Sequence, residues 1–212
     1  GATQAREGGW ALRALVSMAR ETYEERFFSE AKRIAEFRIS WQKKFGTMLA
    51  PFTSHSMARS VFMISIAVNS LARYLLINED ERVKKLIIET MDDILENSVG
   101  LGGVLYYKEL PSLKQPEPDH NTLESLTHAY CLTKDERYIK TALRQFAVMF
   151  EGLGEDYGLT VDEEALKKKR IEDDAVIRGE GNGRAFAMYY IPLIVFAAAA
   201  GKEGFLDRFE YP

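Results

Sequence analysis

The sequence predicts an all-α chain of antiparallel helix hairpins stacked in two layers. Three observations predict it. A short turn pattern recurs at a fixed interval. The helices on either side of each turn differ in kind, one apolar nearly all round and the next striped. Composition supplies enough core: 46% of the 212 residues are apolar and 28% are charged, which suits one globular unit.

The repeat comes first, because a missed repeat misassigns the fold. Thr22-Tyr23-Glu24-Glu25-Arg26-Phe27, Asn78-Glu79-Asp80-Glu81-Arg82-Val83 and Thr133-Lys134-Asp135-Glu136-Arg137-Tyr138 share one pattern. Their arginines lie 56 and 55 residues apart. A degraded fourth copy runs from Gly201 to Phe205. The pattern is a turn between helices. Asp80 and Asp135 are placed to cap the following helix, and Glu81 and Glu136 sit in its first turn, where negative charge opposes the dipole.

Hairpin 1 spans residues 9–45, after a flexible lead over 1–8. Leu12, Leu15, Val16 and Ala19 stripe its first helix. Hairpin 2 spans 57–97. Its first helix, Val61 to Leu76, is apolar nearly all round. Its second carries Val83, Leu86, Ile87, Met91, Ile94 and Leu95 on one face. Hairpin 3 spans 121–150, and a partial hairpin 4 spans 183–212. A helix apolar on all sides is buried and an amphipathic one lies outside. Alternation therefore indicates an inner and an outer layer, as a ring or as a superhelical solenoid.

Long connections over 46–56, 97–120 and 151–182 lie opposite the short turns. Val104-Leu105-Tyr106-Tyr107 allows one short β-hairpin in the second. The third holds a charged stretch, Asp162 to Arg170, that reads as a short solvated helix. Loops of this length are often functional. All three lead into the N-termini of inner helices, where dipoles place partial positive charge. A site is expected on that rim.

Several classes are excluded. Net charge of −4 argues against a nucleic-acid partner bound by bulk positive charge. One cysteine, Cys131, rules out an intrachain disulfide and a Cys-rich zinc module. The uncharged run Ala185–Ala200 is short for a membrane span and contains Pro192, so it reads as a buried helix and no membrane partner is expected. No phosphate loop, dinucleotide fingerprint, His-Glu-x-x-His or Gly-x-Ser-x-Gly occurs. No cofactor or metal is expected. The first nine residues are polar, unlike a signal peptide, and begin without Met. That is the pattern of a chain starting inside a longer gene product, with other domains as partners. An extracytoplasmic place follows if that product carries a leader.

The rim candidates each have two readings. Asp119, His120 and Asn121 with Glu124 open the third inner helix, as a capping box or as acid/base groups. Glu124 and His128 share a helix face four residues apart. Their readings are a structural hydrogen bond or a metal pair without an evident third ligand. His55 and Arg59 open the second inner helix, Trp10 the first, Asn182 and Arg184 the fourth. Aromatic faces beside hydrogen-bonding groups suit a sugar. Paired carboxylates for hydrolysis could come from Glu109, Asp119, Glu124, Glu172, Asp173, Asp174 or Glu180. In elimination chemistry, His120, Tyr106 or Tyr107 would be the base, and Arg184 or Asn121 would neutralise a uronate.

The stretches Ala11–Phe37, Ile64–Leu95 and Leu123–Phe146 resemble the hairpins of six-hairpin glycosidase-like (α/α) toroids, as does the Gly9-Trp10 helix opening. The resemblance covers residues 9–150 and, more weakly, 183–206. It implies a partial or shortened toroid of three to four hairpins. It also implies carbohydrate activity, either glycoside hydrolase or polysaccharide lyase, on an oligo- or polysaccharide at the inner-helix rim. Expected catalytic residues are His120, Glu124, Asp119 and Tyr107, and substrate-binding residues Trp10, His55, Arg59, Asn121, Asn182 and Arg184. The alternative is a non-catalytic helical-repeat module that scaffolds or binds a partner protein.

Overall fold

The computed structural model describes residues 5–48, 50–53, 56–100, 103–106, 119–151 and 183–206. Among them are seven helices: α1 (Ala5–Thr22), α2 (Glu25–Phe45), α3 (Val61–Tyr74), α4 (Glu81–Asn97), α5 (His120–Thr133), α6 (Glu136–Glu151) and α7 (Gly183–Lys202). Strands β1 (Ala50–Thr53) and β2 (Ser56–Ala58) form a two-stranded antiparallel ribbon between α2 and α3.

Packing follows the two-layer plan. Helix α1 packs on α3, α3 on α5, and α5 on α7, so the odd-numbered helices form one continuous inner row. Helices α2, α4 and α6 each return along the outside of their own hairpin, and α2 also touches α4. Burial agrees: ten of the 14 residues of α3 are buried, whereas α4 buries only its stripe Val83, Leu86, Ile87, Thr90, Met91 and Ile94.

The turns explain the repeat atom by atom. Asp80 Oδ1 accepts from the Arg82 backbone N–H at 2.9 Å, and Asp135 Oδ1 accepts from that of Arg137 at 2.9 Å. Each arginine then folds back onto the same acid, with Nη2 at 2.6 Å in the second copy and 2.7 Å in the third. The first copy keeps the pairing, Arg26 Nε to Glu24 Oε2 at 2.7 Å, but Glu24 makes no side-chain cap bond. Arg82 also reaches Glu36 of α2 at 2.6 Å, and Arg137 reaches Asp92 of α4 at 3.3 Å. One periodic arginine thus ties each outer helix to the one before it. These pairs are solvent-exposed and contribute order more than stability. Tyr23 and Lys134 take left-handed backbone, φ 58° and 60°, to reverse the chain at the first and third turns.

Two glycines let α1 approach its neighbours, Gly9 toward α3 and Gly8 toward α2. A Cβ on Gly9 would lie 3.0 Å from the backbone of Ala67, and one on Gly8 would lie 2.2 Å from Arg38 Nη2 of α2. Helix α1 accordingly begins at Ala5, inside the stretch expected as a flexible lead, because Ala5, Gly8 and Gly9 are buried contacts.

The loops depart from expectation in one respect. The ribbon lies at 50–58, while the 97–120 connection shows isolated bridging, as in the antiparallel pair Val99 and Leu105, among its described residues. Buried Gln145 of α6 holds that bridge, accepting from Leu105 N–H at 3.1 Å and donating to Gly103 O at 2.8 Å. The charged stretch 162–170 and the acids Glu109, Glu172, Asp173, Asp174 and Glu180 lie outside the described residues. No helix among the described residues is long and apolar enough to cross a membrane. Helix α7 leaves Tyr190, Ile191 and Ile194 exposed.

Candidate functional site

Helical geometry decides which side chains face away from the outer layer. On α1, Gly8 faces α2 and Gly9 faces α3. Arg13 is four residues beyond Gly9, so it lies on the α3 flank, rotated away from α2. On α3, Ser65, Asn69 and Arg73 follow one another at four-residue steps and all meet α5. Ser65 Oγ donates to Thr122 Oγ1 at 3.3 Å, Asn69 Nδ2 to Asn121 O at 3.0 Å, and Arg73 Nη2 to Glu124 Oε1 at 2.6 Å. The α3–α5 seam is therefore a polar ladder inside an apolar layer.

The ladder ends in a charged cluster. The Glu124 side chain is 0% exposed, and its Oε1 also lies 3.4 Å from His128 Nε2. Arg73 and His128 are 24% and 23% exposed, so the cluster opens to solvent on their side. Burial pushes the Glu124 carboxyl up. The hydrogen bond from His128 and the charges of Arg73 and Arg13 outweigh burial, and its pKa ends below the ordinary glutamate value. Glu124 is thus a carboxylate at neutral pH. Arg13 is lowered by burial and by the neighbouring Arg73 charge, partly offset by Glu124. Its guanidinium sits 5.4 Å from the ring centroid of Trp10, which is 36% exposed.

Four buried polar atoms on this seam lack hydrogen-bond partners among the described residues: Asn69 Oδ1, Arg73 Nε, Asn121 Nδ2 and Glu124 Oε2. Buried polar atoms are rarely left unpaired, so such a group of four calls for water or a ligand.

The expected site residues divide. Glu124 and Trp10 belong to this cluster or flank it. Asp119 caps α5, accepting from Asn121 N–H at 2.9 Å. His120 and Asn121 are buried in the first turn of the same helix. Arg59 is bound bidentately to Asp93 of α4, at 2.8 and 2.9 Å, and Thr47 shares that carboxylate. It therefore braces the foot of the ribbon. His55, Tyr107 and Asn182 lie outside the described residues, as does the side chain of Arg184. Sequence reasoning overlooked Arg13 and Arg73. The usable signal was Arg73 as the one charge in Val61–Leu76. No group of three or more His, Cys, Asp or Glu able to hold a metal occurs among the described residues.

A groove of about 520 Å³ also lies between α2 and α4, lined in part by Lys43, Arg82, Lys85 and Glu89. It belongs to the outer layer. Its Arg82 and Glu89 are already engaged, by Glu36 and Gln42 respectively.

No family model and no curated protein matches the chain. Among solved structures it is similar to a GH76 α-mannanase of Bacteroides thetaiotaomicron, solved as a selenomethionine derivative. The TM-score is 0.56 at 19% identity, over 68% of this chain and 43% of that one. The likeness is one of fold. Together with the hairpin packing it supports the architecture of a partial (α/α) toroid. The chain spans less than half the length of that mannanase.

Proposed function

We propose that this chain is a glycan-binding domain of a carbohydrate-active toroid. Its site runs from the opening of α5 to the face shared by α1, α3 and α5. One observation carries the reading: Arg13, Arg73, Glu124 and His128, from three inner helices, converge beside the exposed ring of Trp10. A sugar needs an apolar face to stack on and paired donors and acceptors for its hydroxyls. Trp10 supplies the first. The part-exposed side chains of Arg73 and His128 supply the second. A protein-binding scaffold would instead favour an apolar face with dispersed charges.

Cleavage, of glycoside hydrolase or polysaccharide lyase type, is the finer form of the proposal. As a carboxylate, Glu124 suits the role of base or charge stabiliser, and His128 one turn away suits that of proton carrier. Hydrolysis by two carboxylates at about 5–9.5 Å would need a second acid. Among the described residues Glu124 is the carboxylate of this cluster.

The test is calorimetric titration with a panel of neutral and acidic oligosaccharides. Binding of at least one, weakened at least tenfold by Trp10→Ala, supports the reading. No heat with any sugar, together with unchanged melting temperatures, overturns it.

A further inference from the structure

The charges of the cluster do not balance. Arg13 of α1 and Arg73 of α3 face one carboxylate, Glu124 of α5, and His128 of α5 adds a group that can take a further proton. Arg73 is paired with Glu124 at 2.6 Å, but Arg13 makes no ion pair among the described residues. Two guanidinium groups near enough to repel share one carboxylate, an arrangement that costs energy in the unliganded protein. A planar anion relieves it, because a guanidinium fork matches a carboxylate through two parallel N–H bonds. Arg73 keeps a buried Nε–H without an acceptor, and Asn121 a buried Nδ2. A hydroxyl-binding group is present too: His128 is part-exposed beside them, and its ring nitrogens can donate or accept. Anion-binding and hydroxyl-binding groups therefore stand side by side, next to an aromatic face at Trp10.

We propose that this face is a subsite for a hexuronate residue of a glycan. Its carboxylate lies against Arg13 and Arg73, a hydroxyl meets the part-exposed ring of His128, and its ring face stacks on Trp10. The inference rests on the glycan-binding reading and names its substrate class. It departs from the neutral mannan implied by the name of the fold relative.

The test is calorimetric titration of the whole chain at pH 7 with four probes: oligogalacturonate, a neutral manno-oligosaccharide of equal length, acetate and inorganic phosphate. The expected result is that oligogalacturonate binds at least tenfold tighter than the neutral sugar and weakens as salt rises. Acetate and phosphate are expected to bind far more weakly than either sugar. Arg13→Gln should cost at least tenfold in oligogalacturonate affinity. Lys43→Gln, in the outer groove, should leave that affinity unchanged. Equal binding of neutral and acidic sugars overturns the hexuronate subsite and leaves the glycan reading standing. Phosphate binding as tight as oligogalacturonate overturns it in favour of a plain anion hole. Binding of no sugar overturns both. Arg13 makes no ion pair among the described residues, so its variant should fold, and an unchanged far-ultraviolet dichroism spectrum checks this.

Discussion

Replacing Glu124 by glutamine removes one charge from the centre of the inner layer and almost no volume. The carboxylate accepts from Arg73 at 2.6 Å and lies beside His128 and Arg13. Two unit charges about 4 Å apart attract by roughly 4 kcal/mol at an effective dielectric of about 20. Burying the carboxylate offsets much of that. Hydrogen bonds to charged groups leave about 1.5–3 kcal/mol net. Arg73 is a quarter exposed, which favours the lower half, about 2 kcal/mol. In a chain of this size about 2 kcal/mol lowers the melting temperature by about 4–8 °C. The difference should also depend on pH. Because the folded pKa of Glu124 lies below its unfolded value, the carboxylate's contribution is complete above the ordinary glutamate pKa, about 4.3. It is lost as pH falls through the lower, folded value. Wild type and variant should therefore differ clearly at pH 5, then converge in more acid solution. Scanning calorimetry across that range is the assay. A variant melting within 1 °C of wild type at pH 7, or a gap that widens on acidification below pH 5, would refute the electrostatic argument.

Three further predictions follow from the packing. Gly9→Val should cost at least about 1–3 kcal/mol, read by urea unfolding, because the backbone of Ala67 leaves no room for a Cβ branch. Asp80→Ala and Asp135→Ala should each cost about 1 kcal/mol, while Glu24→Ala should cost only a few tenths, since Glu24 makes no cap bond. Gln145→Leu strands two backbone groups, Leu105 N–H and Gly103 O. Hydrogen exchange at Leu105 should accelerate at least tenfold, with α5 unaffected.

The hairpins were legible because one turn is written three times, and the same atoms do the same work in the second and third copies. Asp80 and Asp135 cap, and Arg82 and Arg137 reach back to Glu36 and Asp92, which are themselves 56 residues apart. The layer assignment was legible for α3, where apolar residues run all round. It was much weaker for α5, buried yet carrying Asn121, Thr122, Glu124, Ser125 and Thr127. Hydropathy scores such residues as exposed. Ser125 and Thr127 donate to carbonyls of α5 itself, while the partners of Asn121, Thr122 and Glu124 lie on α3, some 50 residues away in sequence, and no local pattern announces them. The ribbon at 50–58 was missed because Pro51 and short strands give little alternation to read. On the site, the helix opening at Asp119 to Glu124 could be picked out, as could the spacing that puts His128 beside Glu124. Arg73 could have been, as the one charge in Val61–Leu76, but its convergence with Arg13 could not, because that is a property of the α1–α3–α5 row. Arg59 looked like a rim cation because sequence does not show that Asp93 of α4 stands opposite it.

The central claim is that a glycan occupies the face beside Trp10. The chain holds two tryptophans, and Trp41 sits on outer helix α2 between Phe37 and Phe45, with ring centroids 5.6 and 4.6 Å away. Its indole N–H is an internal control. In a titration of the nitrogen-15-labelled protein with oligosaccharide, followed by heteronuclear correlation spectra, the Trp10 indole signal should move and saturate while that of Trp41 stays fixed. Two unmoved indole signals at saturating sugar, or movement of Trp41 alone, would contradict the account.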